Sequence, residues 1–290
     1  MAAIPGAGPV ALGATPAAGP ATVGSALAAA RERLAAAGCQ TPRLDAELLL
    51  ADVLGVDRAR LVIDRSEALD GPARRGFADR LARREAREPV AYILGRRAFR
   101  RLELAVDRRV LIPRPETELL VEVGLGLAQG ASVADVGTGS GAIALALADE
   151  RPDLTVTGLD VDPEALAVAR ANRARLGLRV SFRCADLLDD GRYDAVLANL
   201  PYVSDAAALA PESADYEPAT ALFAGADGLQ AVRRLIARIA GQAISPALLG
   251  LEISPEQAAS TAALVRGLGY TSVLTHVDLA GRARVVVGAA

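Results

Sequence analysis

The spacing of apolar positions along the chain changes character twice. From about Val23 to Gly95 it follows a helical period. Ser25 is expected to cap a helix running through Ala37, with Gly38 as its stop. Pro42-Arg43-Leu44-Asp45 opens a second helix that carries Leu44, Leu48, Leu49 and Val53 on one side and ends near Gly55. Asp57 is placed to cap a short third helix, and Gly71 to Glu85 predicts a fourth with a strongly basic face. Charge runs such as Arg80 to Arg87 read as solvated faces. The pattern then alternates from Ala98 to Val110. There Phe99, Leu102, Leu104 and Val106 predict a hairpin or strand pair, with Asp107-Arg108 near a turn. Two prolines give Leu111-Ile112-Pro113-Arg114-Pro115-Glu116-Thr117-Glu118 an extended entry, and a helix is expected from Glu116 to about Gln129.

From Ala131 onward strands and helices alternate. Strands are predicted at 132–136, 154–160, 179–184, 193–198, 247–253, 271–277 and 283–288, with helices near 141–150, 163–176, 227–240 and 255–267. Seven strands with crossover helices and a late strand pair define an α/β fold, a doubly wound Rossmann-like sheet. The expected organisation is a disordered Ala/Gly/Pro-rich tail at 1–22, a small helical domain at 23–96, a β-hairpin linker at 97–112 and the α/β domain at 113–290.

Composition narrows the chemistry. The formal charge is −3, which gives no drive for non-specific binding to nucleic acid. His276 is the only histidine, which argues against a serine-hydrolase triad or a His-based metal site. Cys39 and Cys184 are far apart and lack CxxC spacing, as expected for a reducing compartment without a zinc site. Apolar runs such as Ala142 to Ala148 are too short to span a bilayer, and residues 1–22 have no basic n-region of a signal peptide.

The candidate chemistry lies at four successive strand ends. Asp135-Val136-Gly137-Thr138-Gly139-Ser140-Gly141 is a strand end and a glycine-rich turn before a helix. Its glycines permit close backbone approach to a ligand, and the spacing is not that of the dinucleotide fingerprint. The amino-acid part of an adenosyl sulfonium fits such a loop. Asp160 closes the second strand and is therefore preferred as the acceptor of both ribose hydroxyls, with Asp162 as a helix cap, the reverse assignment being open to the sequence alone. Asp186 closes the third, placed to accept from an adenine amino group, with Leu187 packing on the ring. Asn199-Leu200-Pro201-Tyr202 closes the fourth. The Asn199 side-chain oxygen and the Leu200 carbonyl can both accept from one NH2 group, and Asn199 also faces the cofactor. Pro201 makes the turn rigid, and the Tyr202 ring is expected to lie flat on the amide or base that carries the NH2. Together these ends describe a methyl-transfer site for planar nitrogen.

The chain resembles class I S-adenosylmethionine-dependent methyltransferases and, more narrowly, the PrmC/HemK family. The resemblance rests on Pro42 to Glu47, Pro89 to Gly95 with Phe99, Leu111 to Glu118, the glycine loop, Tyr216-Glu217-Pro218, Asp227-Gly228-Leu229, Leu251-Glu252-Ile253 and Asp278 to Arg282. It implies S-adenosyl-L-methionine as cofactor, with S-adenosyl-L-homocysteine as product. The implied substrate is the side-chain amide of the GGQ glutamine in class-1 peptide chain release factors, recognised in part by the helical domain. A cytoplasmic monomer is expected, with no stable nucleic acid, no membrane and no metal. Where the family has Asn-Pro-Pro-Tyr, this chain has Leu200 in place of the first proline, which removes a restriction on φ before Pro201. The rival readings are an adenine-N6 methyltransferase on RNA or DNA and a non-catalytic cofactor- or translation-factor-binding module.

Overall fold

The computed structural model describes residues 21–290, so the expected tail lies outside the described residues except for Ala21 and Thr22. Those two belong to the fold. Leu69 N–H donates to the Ala21 carbonyl at 2.9 Å. The chain divides into two compact units between Ala86 and Arg87.

The first unit holds α1 (Val23–Ala36), α2 (Pro42–Leu54), α3 (Arg58–Ile63) and α4 (Gly71–Glu85). Thr22, not Ser25, is the cap of α1. Ser25 sits three residues on, and the two residues exchange bonds between side chain and backbone at 3.2 and 2.9 Å, a capping box. The buried side of α2 is also rotated from expectation. Asp45, Ala46, Leu49 and Leu50 are buried, whereas Leu44 is exposed. The reason is Arg84 of α4, itself buried, which forms an ion pair with Asp45 at 2.7 Å. A hydrophobicity pattern places a charged residue outside, but a paired and hydrogen-bonded carboxylate can sit in the interior.

The second unit begins with α5 (Val90–Leu94), then β1 (Arg96–Phe99) and β2 (Leu102–Ala105), an antiparallel pair. Their turn is at Arg100-Arg101. Arg100 takes a left-handed φ of 52°, while its guanidinium forks onto Glu150 at 2.9 and 2.8 Å. Asp107 to Val110 forms a second turn, at the position expected for Asp107-Arg108. Asn172 holds the hairpin, accepting from Ala105 N–H at 2.7 Å and donating to the Ala105 carbonyl at 3.0 Å. A 3-10 turn at Pro115–Thr117 leads into α6 (Glu118–Leu125), which stops short of Gln129. Gly126 follows it, and Arg151 donates to the carbonyls of Leu125 and Leu127, taking acceptors the next helical turn would have used.

The sheet then builds from β3 (Ser132–Val136), α7 (Ala142–Glu150), β4 (Thr155–Asp160), α8 (Pro163–Leu176), β5 (Ser181–Cys184) and β6 (Ala195–Ala198). It is completed by α9 (Pro211–Ala214), which the sequence pattern does not predict, α10 (Gln230–Ala240), β7 (Leu248–Glu252), α11 (Ala258–Gly267), β8 (Ser272–Val277) and β9 (Ala283–Ala289). The order is β5-β4-β3-β6-β7-β9-β8, parallel as far as β7 and antiparallel through β9 and β8. The predicted seven-stranded doubly wound sheet is therefore present. Alternate residues feed two cores, Val133 and Leu197 on one face and Val136 and Val196 on the other. Both faces are covered, which is why these strands read as near-continuous apolar runs.

Register decides the site. Val136 pairs with Leu159 and with Ala198, Asp160 with Cys184, and Ala198 with Leu251. The carboxyl ends of five parallel strands thus share one edge. The chain reverses direction across the sheet at β3, where β4 and β6 flank it, the place where open α/β sheets bind ligands.

Candidate active site

Gly137, Gly139 and Gly141 all have positive φ, but they serve different needs. A Cβ on Gly139 would meet nothing within 4 Å, because that position opens on a cavity. A Cβ on Gly141 would press on Leu145 at 2.9 Å and Phe182 at 3.1 Å. Gly141 therefore lets α7 start against the sheet and is not on the cavity wall, whereas Gly137, Thr138, Gly139 and Ser140 are. The loop is held from beneath. The N–H groups of Gly137 and Thr138 both donate to the Leu159 carbonyl, at 2.8 and 2.9 Å. The Thr138 hydroxyl and Ala144 N–H donate to one oxygen of Asp135, at 2.6 and 3.1 Å. The other oxygen of Asp135 has no partner among the described residues. Complete burial pushes this carboxyl up to about 7.

Asp160 and Asp186 both line the same cavity. One Asp160 oxygen accepts Gly139 N–H at 2.9 Å and the other accepts Asp162 N–H at 3.0 Å. A carboxylate oxygen has room for a second donor, so both remain open to a ligand. Burial raises the Asp160 carboxyl above its ordinary value, against the two backbone donors. Asp162 caps α8, accepting Glu164 N–H at 2.8 Å. Asp186 is solvent-facing and paired with Arg234 at 2.5 Å. Arg234 lies on the cavity wall too, and nothing local in the sequence singles it out. Leu187, also on the wall, has a φ of 66°, a left-handed conformation that a branched residue adopts only under constraint.

Asn199, Leu200 and Pro201 complete the wall. The Asn199 side-chain nitrogen donates to the Thr117 hydroxyl at 3.0 Å. The Leu200 side chain is buried in the core beneath the sheet edge. Tyr202 is half-buried and does not line the cavity. Its hydroxyl points to Glu252, 3.4 Å away, and burial holds its phenol well above the usual range. Gln257 donates to the Tyr202 carbonyl at 2.9 Å. Gly228 backs the same carbonyl so closely that a Cβ there would fall 2.1 Å from it, at a φ of 69°. Glu252 is buried, its carboxyl pushed up to about 7, and its Oε2 has no partner among the described residues. Glu217, also buried, accepts Ile112 N–H at 3.1 Å and pairs with Arg114, which fixes the extended entry before Thr117.

Thr117, Gly228 and Glu252 lie in segments that the sequence marks as distinctive, yet no local pattern assigns them a role. Gln257 carries no signal at all beyond its place in a helix-entry capping box with Ser254.

Residues 25–95 match the PrmC N-terminal domain family, and residues 115–215 match the methyltransferase small domain family. The release factor glutamine methyltransferase of Mycolicibacterium smegmatis is 41% identical over 266 residues, covering 89% of this chain and 94% of that protein. That of Pseudomonas aeruginosa is 42% identical over 253 residues, covering 85% and 92%. Among solved structures, the hMettl16 catalytic domain aligns with a TM-score of 0.55 at 18% identity, covering 73% of this chain and 82% of that one. This last likeness concerns the fold alone.

Proposed function

The chain belongs to the release factor glutamine methyltransferase family, and from that premise we propose that it methylates the side-chain amide nitrogen of a glutamine in a class-1 peptide chain release factor, using S-adenosyl-L-methionine. The observation that carries this reading is the shared cavity. Asn199, its side-chain nitrogen tied to Thr117, lies on the same wall as the glycine loop and Asp160.

The residues present fit the cofactor. Gly139 opens on the cavity without a neighbour, a cradle that a side chain would fill. Asp160 keeps acceptor capacity for a vicinal diol. Asp186 and Leu187 are available for the base, with Arg234 held by Asp186. When bound, S-adenosyl-L-methionine supplies an electrophilic methyl group on a sulfonium. The chain's own contribution is to hold the acceptor. An amide nitrogen is a weak nucleophile because its lone pair is delocalised. The Asn199 oxygen and the Leu200 carbonyl accept its two N–H groups and fix its approach. These acceptors strengthen as positive charge develops on nitrogen, so they favour the transition state over the bound substrate. Pro201 limits the loop's freedom, and Tyr202, braced by Gln257 and Gly228, anchors its far end. In this reading the first, helical unit contributes to recognition of the release factor, and the enzyme is a cytoplasmic monomer that holds no nucleic acid stably.

The test is incubation of the purified chain with methyl-labelled S-adenosylmethionine and either a release factor or ribosomal RNA. Label on a release-factor glutamine is the expected result. Label on adenine would transfer the site to a base-modifying enzyme, and no label on either would leave only a binding module.

A further inference from the structure

We propose that Arg234 is a positioning residue for selection of the cofactor's base: it fixes the exposed Asp186 carboxylate so that its free oxygen accepts the 6-amino group of a purine. This rests on the cofactor assigned to the cavity above. The strand order sets which end of the cavity takes the base. β3, β4 and β5 are neighbours, and past their carboxyl ends lie the glycine loop, Asp160 and Asp186 in turn. A nucleoside with its sulfonium side at the glycine loop and its ribose on Asp160 carries its base toward Asp186.

The two acids are held in different ways. Asp160 accepts the backbone N–H groups of Gly139 and Asp162 at 2.9 and 3.0 Å, so the fold itself fixes its carboxylate. Asp186 has no backbone donor among the described residues. Its one partner there is Arg234, whose Nη2 donates to Oδ2 at 2.5 Å and leaves Oδ1 open. A carboxylate only accepts and a guanidinium only donates, so the open oxygen of the pair suits an exocyclic NH2. The backbone beneath is secured separately. Leu188 is buried, and Arg238 donates to its carbonyl at 2.9 Å and to Asp190 at 2.8 Å. Helix α10 thus grips this segment twice, with Arg238 on its backbone and Arg234 on the Asp186 side chain. The remaining arginine of α10, Arg233, is turned onto Asp227, and of the three only Arg234 lies on the cavity wall. Removing the Arg234 guanidinium therefore frees one carboxylate to turn in solvent and leaves the loop in place.

Arg234→Met keeps the apolar stem and removes the guanidinium. Calorimetry on the full chain compares S-adenosylhomocysteine with its analogue that carries hydrogen in place of the 6-amino group. The unaltered chain should bind the analogue about 10-fold more weakly, the low end for a hydrogen bond to a charged acceptor. In Arg234→Met this ratio should fall to about 2- to 3-fold. The change should come through S-adenosylhomocysteine alone, weakened about 3- to 5-fold, the upper range for an exposed ion pair. Asp186→Ala should bring the ratio to about one, and adding Arg234→Met should change it no further, because the arginine acts through that carboxylate. A ratio that Arg234→Met leaves unchanged overturns the proposal, and equal weakening of both ligands would mark Arg234 as structural. If the unaltered chain binds both ligands equally, this proposal fails and the cofactor assignment stands. If it binds neither, the cofactor assignment fails and the proposal with it.

Discussion

Leu200 packs a methyl group against Gly137, so closely that a Cβ added to the glycine would lie 3.2 Å from Leu200 Cδ2. The Asn199–Tyr202 loop therefore rests on the glycine loop, both on the wall of one cavity. Leu200 is 4% exposed and belongs to the core formed by Val136, Val196 and Leu229. Where the family has a proline, this chain replaces a fixed φ by a buried side chain.

Leu200→Ala should accordingly lower stability by about 2–4 kcal/mol, from lost burial and the cavity left behind. Urea denaturation checks this as a lower midpoint with an unchanged slope. A loss below about 1 kcal/mol would mean that the side chain is not holding the two loops together.

Asn199→Ala should reduce turnover by at least about 10²-fold, the scale for losing one group directed at developing charge. S-adenosylhomocysteine affinity, measured by calorimetry, should stay within about threefold. Normal turnover would remove Asn199 from the chemistry.

Asp160→Ala should weaken S-adenosylhomocysteine binding by about 10- to 100-fold, the range for hydrogen bonds to a charged group. Asp160 also accepts from Gly139 and Asp162, so part of the effect will come through the loop. Unchanged affinity in a calorimetric titration would place the cofactor elsewhere.

Asp135 makes stability depend on pH. Its carboxyl titrates near 7 in the fold, against about 3.9 in an unfolded chain. Between these values the folded state keeps a proton that the unfolded state has lost, so this contribution is full at low pH and is lost as pH rises to about 7. Asp135→Asn mimics the neutral acid and can still accept from Thr138 and Ala144. The unaltered chain should lose stability relative to this variant as pH goes from about 5 to 7, by at most about 1.4 kcal/mol per unit. Denaturation at several pH values would show it, and parallel pH profiles for the two proteins would refute it.

Much of this molecule was legible along the chain. Strands covered on both faces are continuous apolar runs, and each ends where a glycine, an acid or an asparagine breaks the run. β3, with the glycine loop, and the acids at 160 and 186 could therefore be located from composition and spacing. The helix caps were less secure, because Thr22 and Ser25 are equally good capping residues and only the backbone shows which begins the helix. The buried side of α2 was hidden for a similar reason, since Asp45 is interior only because Arg84 meets it from another helix.

By itself the sequence determined which residue types stand at the strand ends and in what order, because those are local properties of chain direction and hydrophobic period. Only the tertiary structure decided which ends are neighbours. Pairing of Ala198 with Val136 and with Leu251 brings Asn199, Gly137 and Glu252 to one edge, and the turn at Pro115–Thr117 brings Thr117 to meet Asn199. No period in the chain encodes that register. It follows from packing two faces of a sheet at once, and with it comes the seat of Leu200 against Gly137.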